Sequence, residues 1–315
     1  MNRIKEKKFL ITGVRGFPAN KVVKYLTEQM IEVVGIDIGF PTYHPAKMKF
    51  YETDPYFSNI EDIIRTESVD IIIHLMFDYD IYSEIHPYNR NNFIRFERLF
   101  TLFNKKVFEK LYLFSSIYVY GVNFVDSKRY TESDILISSS KIAYLSDMLA
   151  IERYLSSNIQ SENWNGLFNF RIAPLYHNFS EDIVIKYIKR TPIFYSIANR
   201  DPEFQFLYIT DLINYIINSV FLEKGGVYNI ASPDSIRLSE IASICNKPFV
   251  YLPEGFTRSF FALSKLFFKS EIHNSELIDI LSFPCLVSID KARDELGYEA
   301  GYQLRDMVEN IIFFE

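Results

Sequence analysis

The stretch KKFLITG at residues 7–13, followed at once by VRGFPANKVVKYLTEQ, limits the fold more than any other part of the chain. A short apolar run ending in glycine reads as a buried parallel strand. The segment after it reads as a helix, with Pro18 in the first turn and Val22, Val23, Tyr25 and Leu26 on an apolar face. Between the two, Gly13, Gly16 and Ala19 give the spacing G-x-x-G-x-x-A. Glycines there let the backbone turn sharply and approach a pyrophosphate, which meets the free N–H groups of the helix start. Ala19 still permits close helix–strand packing.

The pattern continues as strand–helix alternation. IEVVGIDI (31–38) and VDIIIHLMF (69–77) read as strands, EDIIRTE as a short helix, and residues 92–109 as an amphipathic helix before the strand LYLFSS (111–116). A helix over 140–157 precedes the strand GLFNFRIAP (166–174). Strands apolar on both faces and alternating with helices predict an α/β fold, a doubly wound parallel sheet of the Rossmann type. We expect a smaller, discontinuous C-terminal substrate lobe beside it. The boundaries expected are 1–176 plus 206–234 for the dinucleotide-binding domain and 177–205 plus 235–315 for the lobe.

Asp37 ends the second strand, about 20 residues past the first glycine, where a carboxylate binds the ribose hydroxyls of NAD. Arg15, inside the turn with Phe17, is placed to reach a 2′-phosphate, which Asp37 repels. Ile38, and no basic residue, follows Asp37. The cofactor expected is NAD, with NADP possible, and its candidate residues here are Gly13, Arg15, Gly16, Phe17 and Asp37.

With 48% hydrophobic and 23% charged residues the chain has the balance of an ordinary soluble protein. A net charge of −6 without a dense basic stripe argues against nucleic acid as a partner. Cys245 and Cys285 lie far apart, and the five histidines show no metal-ligand spacing, so neither a disulfide nor a metal is expected. The apolar part of MNRIKEKKFLITG is too short for a signal peptide, and no apolar run is long enough to span a bilayer. These features predict a cytoplasmic protein that does not engage membranes. The stretch FTRSFFALSKLFFK (256–269) is aromatic and amphipathic, and reads first as a helix packed on the body or roofing a pocket; the other reading is an interfacial anchor.

Further segments carry a resemblance to the extended short-chain dehydrogenase/reductases, the NAD-dependent epimerase/dehydratase family. ITGVRGFPA resembles the family's TGxxGxxG turn, VDIIIHLMF its D-x-V-x-H-L-A strand, and SSIYVYG (115–121) its S-S-x-x-V-Y-G strand end. Asn92 matches the asparagine of its N-x-x-G-T-x-N-L-L helix, with Arg95 and Phe96 standing where the family has Gly and Thr. FQFLYITDLINYII, GGVYNIAS and SIDKARDELGYE resemble later segments. The resemblance implies that Asp54 lies near the adenine, that Ser116 supplies a substrate-binding hydroxyl, and that the chain forms a homodimer through the helices matching 92–109 and 140–157. Leu145 and Leu149 are candidates for that seam.

The family's catalytic pattern is Y-x-x-x-K with an acidic residue four further on. IAYLSDMLAIERYL keeps Tyr144 and Glu152 but has Met148 in place of the lysine. A second register, Ile137-Lys141-Leu145, keeps the lysine and loses the other two. The candidate catalytic residues are therefore Tyr144 and Ser116, with Lys141 a stand-in for the missing charge. Alternatively, Tyr144 only packs, since Leu145, Met148 and Leu149 form an apolar stripe. The segment RIAPLYHN departs from the family's R-P-x-N-V-Y-G-P, and His177 in it is either a solvated loop residue or an acid–base group. This departure and the Phe-rich stretch predict a small-molecule substrate that is not a standard sugar nucleotide. Three functions stay open: an epimerase/dehydratase-like oxidoreductase with an altered proton relay, a cofactor-binding protein without turnover, and a non-redox lyase or cyclase on the same fold.

Overall fold

The structure, a computed structural model, describes residues 2–56, 59–77, 91–121, 128–136, 143–159, 164–177, 182–197, 200–253 and 285–313. The chain divides into two compact units. The first comprises Met1–Ser115, Ile142–Arg171 and Ile213–Tyr228; the second comprises Ser116–Lys141, Ile172–Leu212 and Asn229–Glu315.

The first unit alternates as its sequence predicts: β1 (Phe9–Thr12), α1 (Ala19–Glu28), β2 (Val33–Asp37), β3 (Met48–Glu52), α2 (Ile60–Thr66), β4 (Ile71–His74), α3 (Asn91–Asn104), β5 (Lys110–Ser116) and α4 (Ala143–Asn158). One seven-stranded sheet runs in the order Gly226–Ile230, Leu167–Ile172, β5, β4, β1, β2, β3. The pairs β5–β4, β4–β1, β1–β2 and β2–β3 are parallel. Every residue of β1, β2 and β4 is buried, because helices cover both faces of the sheet. Leu10, Val34, Ile36, Ile72, Phe96 and Leu99 belong to one core cluster on it. Strand order reverses between β4 and β1, whose last residues Thr12 and His74 are partners in register.

Two differences from the sequence reading have physical causes. Strand β3 was not expected, because MKFYE is the sheet's edge and only Met48 is fully buried. It is pinned by Glu67, whose carboxylate accepts from Lys49 Nζ (2.5 Å), Tyr51 Oη (2.6 Å) and Lys8 Nζ (3.2 Å). The hydrogen bonds from Lys49 and Tyr51 hold its carboxyl down to about 2. Helix α3 ends at Asn104, short of residue 109, where Lys106 adopts φ 57° and turns the chain toward β5.

Helix α4 packs on α3 through Tyr154, which meets the rings of Phe93, Phe96 and Phe100 edge-on at 5.6–5.8 Å. Leu145, Met148 and Leu149 are 2%, 4% and 6% exposed. Leu145 and Leu149 are thus buried within the chain itself and do not form an exposed seam.

The second unit is built from short strand pairs. Phe194–Ile197 runs parallel to Phe249–Leu252, and Glu203–Phe204 antiparallel to Ile236–Arg237. Buried Gln205 ties it together, donating to the carbonyls of Ser232 and Val287 and accepting from Val287 N–H. Asp211 does the same near the C-terminus, accepting from Tyr298 Oη (2.6 Å) and Gly301 N–H (3.1 Å). Cys245 and Cys285 are free, buried thiols of this unit. Burial raises both above the ordinary thiol range, and Cys285 donates to the Ile117 carbonyl. Among the described residues, no helix is long and apolar enough to cross a membrane, and no group of acidic, His or Cys residues could hold a metal ion. The Phe-rich 256–268 stretch and the Ile137–Lys141 register lie outside the described residues.

Candidate functional site

The turn after β1 is shaped by contacts that exclude a side chain. Gly13 has φ 78°, and a Cβ on it would stand 2.8 Å from the Leu75 carbonyl oxygen and 2.9 Å from Met76 Cα. Its N–H donates to the Ile36 carbonyl, and Gly16 N–H closes the turn on the Gly13 carbonyl at 3.0 Å. No side chain caps α1; the Asn20 N–H of its first turn donates to the Gly16 carbonyl and the Lys21 N–H to the Pro18 carbonyl, each at 3.0 Å. Ala19 is buried where the helix meets the strand.

Asp37 is held beside this turn. Its carboxylate accepts from the backbone N–H groups of Arg15 (2.9 Å) and Ile38 (2.7 Å), one on each oxygen. A carboxylate has about four lone-pair sites, so acceptor capacity remains for a diol. The Arg15 guanidinium lies over Gly39, with Nη1 2.9 Å from where a Cβ on that glycine would be. Gly13, Gly16, Arg15 and Asp37 therefore form one cluster, with Phe17 half-buried in the turn. The absent Cβ at Gly13 and the oriented Asp37 oxygens fit a dinucleotide's pyrophosphate and ribose.

A second polar cluster lies at the carboxyl ends of β1 and β4, and its wiring was not read from the sequence. Thr12 Oγ1 accepts the N–H groups of Leu75 (3.1 Å) and Met76 (3.0 Å). Both its lone pairs are then taken, so its proton goes to His74 Nδ1 at 2.8 Å. His74 is consequently the Nε2–H tautomer. It is fully buried, and among the described residues its Nε2 has no partner. Burial first, and then the nearby Arg95 charge, hold the imidazole down to about 3, with Asp54 pulling the other way. Asp54 is itself buried, and Arg95 of α3 donates to it through Nε (3.0 Å to each oxygen) and Nη2 (2.5 Å). Tyr56 N–H adds a further bond to Oδ1. Burial pushes the Asp54 carboxyl up, but these bonds outweigh it and leave the group below the ordinary carboxylate range. A signal for this pair was present: Arg95 stands four and seven residues before Leu99 and Leu102, on the buried stripe of α3, where a cation requires a carboxylate.

The catalytic candidates are arranged as follows. Ser116 ends β5 and belongs to the second unit; its Oγ accepts from Tyr118 N–H at 3.2 Å. The preceding Ser115 is buried, and among the described residues its Oγ has no partner. Tyr144 is the second residue of α4, in the first unit. One turn on, Met148 is buried, and one further turn on Glu152 is engaged by Asn169 Nδ2 (2.9 Å) and by Arg171 Nε (3.0 Å) and Nη2 (2.8 Å). Met148 brings neither a charge nor a strong donor to this helix. His177 accepts from Lys189 Nζ through its backbone carbonyl.

A sequence model described as the NAD dependent epimerase/dehydratase family matches residues 9–231. Comparison with curated proteins found no match. Among solved structures, MoeE5 in complex with UDP-glucose and NAD is 17% identical over 97% of both chains, with a TM-score of 0.71. A UDP-glucose-4-epimerase from Stenotrophomonas maltophila, with bound NAD and formylated UDP-arabinopyranose, is 13% identical over 97% of both chains, with a TM-score of 0.73. A dTDP-glucose 4,6-dehydratase from Bacillus anthracis in complex with NAD is 15% identical, covering 97% of this chain and 95% of that one, with a TM-score of 0.70. The expectation that the ligand is not a standard sugar nucleotide is overturned by these relatives, two of which hold UDP-sugars on a fold matched over almost the whole chain. The departures in RIAPLYHN were too local to carry that expectation.

Proposed function

The chain belongs to the NAD-dependent epimerase/dehydratase family, and from that premise we propose that it binds NAD(P) and acts on a nucleoside-diphosphate sugar through a proton relay that lacks the usual lysine. The observation that carries the reading is the Gly13–Arg15–Asp37 cluster, a turn with no Cβ at Gly13 and Gly16 beside a carboxylate held by two backbone amides. Gly13 and Gly16 let the pyrophosphate approach the start of α1, and Asp37 accepts the ribose hydroxyls. Arg15, lying over Gly39, is the group that would meet a 2′-phosphate. The nicotinamide, when bound, supplies hydride acceptance and return.

The family resemblance supports Ser116 as a substrate-binding hydroxyl and, taken separately, Tyr144 as a proton acceptor. A phenol titrates near pH 10, so at pH 7 an unassisted Tyr144 is about 3 units short of its base form, a deficit of about 4 kcal/mol. In the family a lysine one turn on offsets this, and Met148 does not. That single residue favours a second reading, a cofactor-binding protein with little or no turnover.

Calorimetric titration of cofactor-free protein with NAD⁺, NADH, NADP⁺ and NADPH tests the binding half. Micromolar affinity for one redox pair supports it; no heat with any of the four rejects it. For the chemical half, turnover of UDP- and dTDP-hexoses is compared in the wild type, Tyr144→Phe and Met148→Lys. Tyr144→Phe is expected to abolish activity, and Met148→Lys to raise it by up to about a thousandfold, the equivalent of 3 pKa units. Turnover in neither the wild type nor Met148→Lys, with cofactor bound, selects the reading without catalysis.

A further inference from the structure

The dinucleotide reading gives residues to the pyrophosphate and the adenosine ribose, and none to the nicotinamide half. Strand order places that half. In the sheet β1 lies between β2 and β4. With the pyrophosphate at the β1 turn and the adenosine ribose at Asp37 of β2, the nicotinamide half falls on the β4 side, where strand order reverses. The wall on that side is the exit from β4. It lies close against the turn: a Cβ on Gly13 would stand 2.8 Å from the Leu75 carbonyl oxygen and 2.9 Å from Met76 Cα. A shift of the exit is therefore a shift of the surface beside the pyrophosphate.

One hydroxyl holds this exit. Thr12 Oγ1 accepts from the N–H groups of both Leu75 and Met76. An oxygen that accepts twice must send its proton in the remaining direction, and there it meets His74 Nδ1 at 2.8 Å. The imidazole is fully buried, with the Phe77 ring 5.2 Å from its own. Phe77 N–H in turn donates to the Leu75 carbonyl at 3.2 Å. His74 thus decides which way the Thr12 lone pairs point. With no acceptor in its place, the buried hydroxyl must turn to find one, and in turning it releases an amide of the exit.

Resting on the dinucleotide reading, we propose that His74 is a positioning residue for the nicotinamide half of the cofactor: by taking the Thr12 proton it holds the β4 exit where that half binds. The adenosine half does not depend on it. Gly13 N–H is bound to the Ile36 carbonyl, and the Asp37 carboxylate to the amides of Arg15 and Ile38, and none of these contacts involves His74.

The test is calorimetric titration of the full, cofactor-free chain with NAD⁺ and with ADP, which lacks the nicotinamide half. In His74→Leu the affinity for NAD⁺ is expected to fall about tenfold, the worth of one hydrogen bond, with the affinity for ADP unchanged. His74→Asn, which returns an acceptor to Thr12, is expected to restore NAD⁺ binding. A purely structural role would move the urea midpoint and leave the ratio of the two affinities as it is. An unchanged ratio in His74→Leu, by loss of neither or of both equally, overturns the proposal and leaves the dinucleotide reading intact. Should His74→Leu fail to fold, nitrogen NMR of the wild-type imidazole decides. An Nε2–H tautomer whose Nδ1 signal shifts with NAD⁺ and not with ADP is expected; an Nδ1–H tautomer, or an equal response to both ligands, overturns the proposal. Absence of binding of NAD⁺ and ADP by the wild type overturns the dinucleotide reading as well.

Discussion

At the scale of single residues, His74 shows how tightly this fold constrains one ionisation. Its imidazole is kept neutral by burial and by Arg95, with a folded value of about 3 against 6.5 in the unfolded chain. Below pH 6.5 the unfolded chain takes up a proton that the folded one refuses. The stabilisation linked to His74 is therefore complete above pH 6.5, falls by about 1.4 kcal/mol per pH unit, and is exhausted near the folded value. His74→Asn keeps an acceptor for Thr12 but cannot titrate. Between pH 7 and pH 5 it is expected to lose about 2 kcal/mol less stability than the wild type, measured by urea unfolding at each pH. An equal loss in both proteins would assign the acid sensitivity to other groups. The turn at Gly13 and Gly16 and the strand end at Asp37 could be read from the sequence, because paired glycines and a strand-terminal carboxylate leave their mark in residue type and spacing. The Thr12–His74 bond could not, since it depends on the register of two strands separated by an entire βαβ unit.

At the scale of elements, α4 is fastened to the strand Leu167–Ile172 by one buried carboxylate. Glu152 is 1% exposed and takes three N–H bonds from Asn169 and Arg171. Glu152→Leu removes the acceptor and leaves those donors facing an alkyl group. We expect a loss on the order of 3 kcal/mol, read as a lower urea midpoint by circular dichroism. Adding Arg171→Met to that variant is expected to recover part of the loss, because a buried charge is removed with it. The sequence placed Glu152 correctly on the helix and Arg171 on the strand, yet nothing in their spacing states that they touch. Edge strand β3 was missed for the opposite reason. With only Met48 fully buried and Lys49 and Glu52 exposed, the pattern hides a strand that the Glu67 carboxylate grips from outside.

At the scale of the whole molecule, the order of strands and helices was legible because each doubly apolar strand must be covered on both sides, and only a doubly wound sheet does so repeatedly. The ligand class was not, because the chemistry of a substrate pocket is set by side chains brought together from distant segments. Binding itself supplies a global readout. A ligand at one hundred times its Kd adds about 2.7 kcal/mol to the native state, so NAD⁺ or NADP⁺, whichever binds, is expected to raise the melting temperature by a few degrees. An unchanged melting curve at millimolar concentrations of both would contradict the binding proposal.

The buried thiols give the molecule one more property. Both of its cysteines, Cys245 and Cys285, belong to the second unit, while its single tryptophan, Trp164, is enclosed in the first. The unmodified chain thus carries two separate clocks. Indole fluorescence times the opening of the first unit, and alkylation of the thiols times the opening of the second. If the thiols are consumed only as fast as the fluorescence changes, the two halves breathe together. If they are consumed sooner, the second unit opens on its own while the first stays closed.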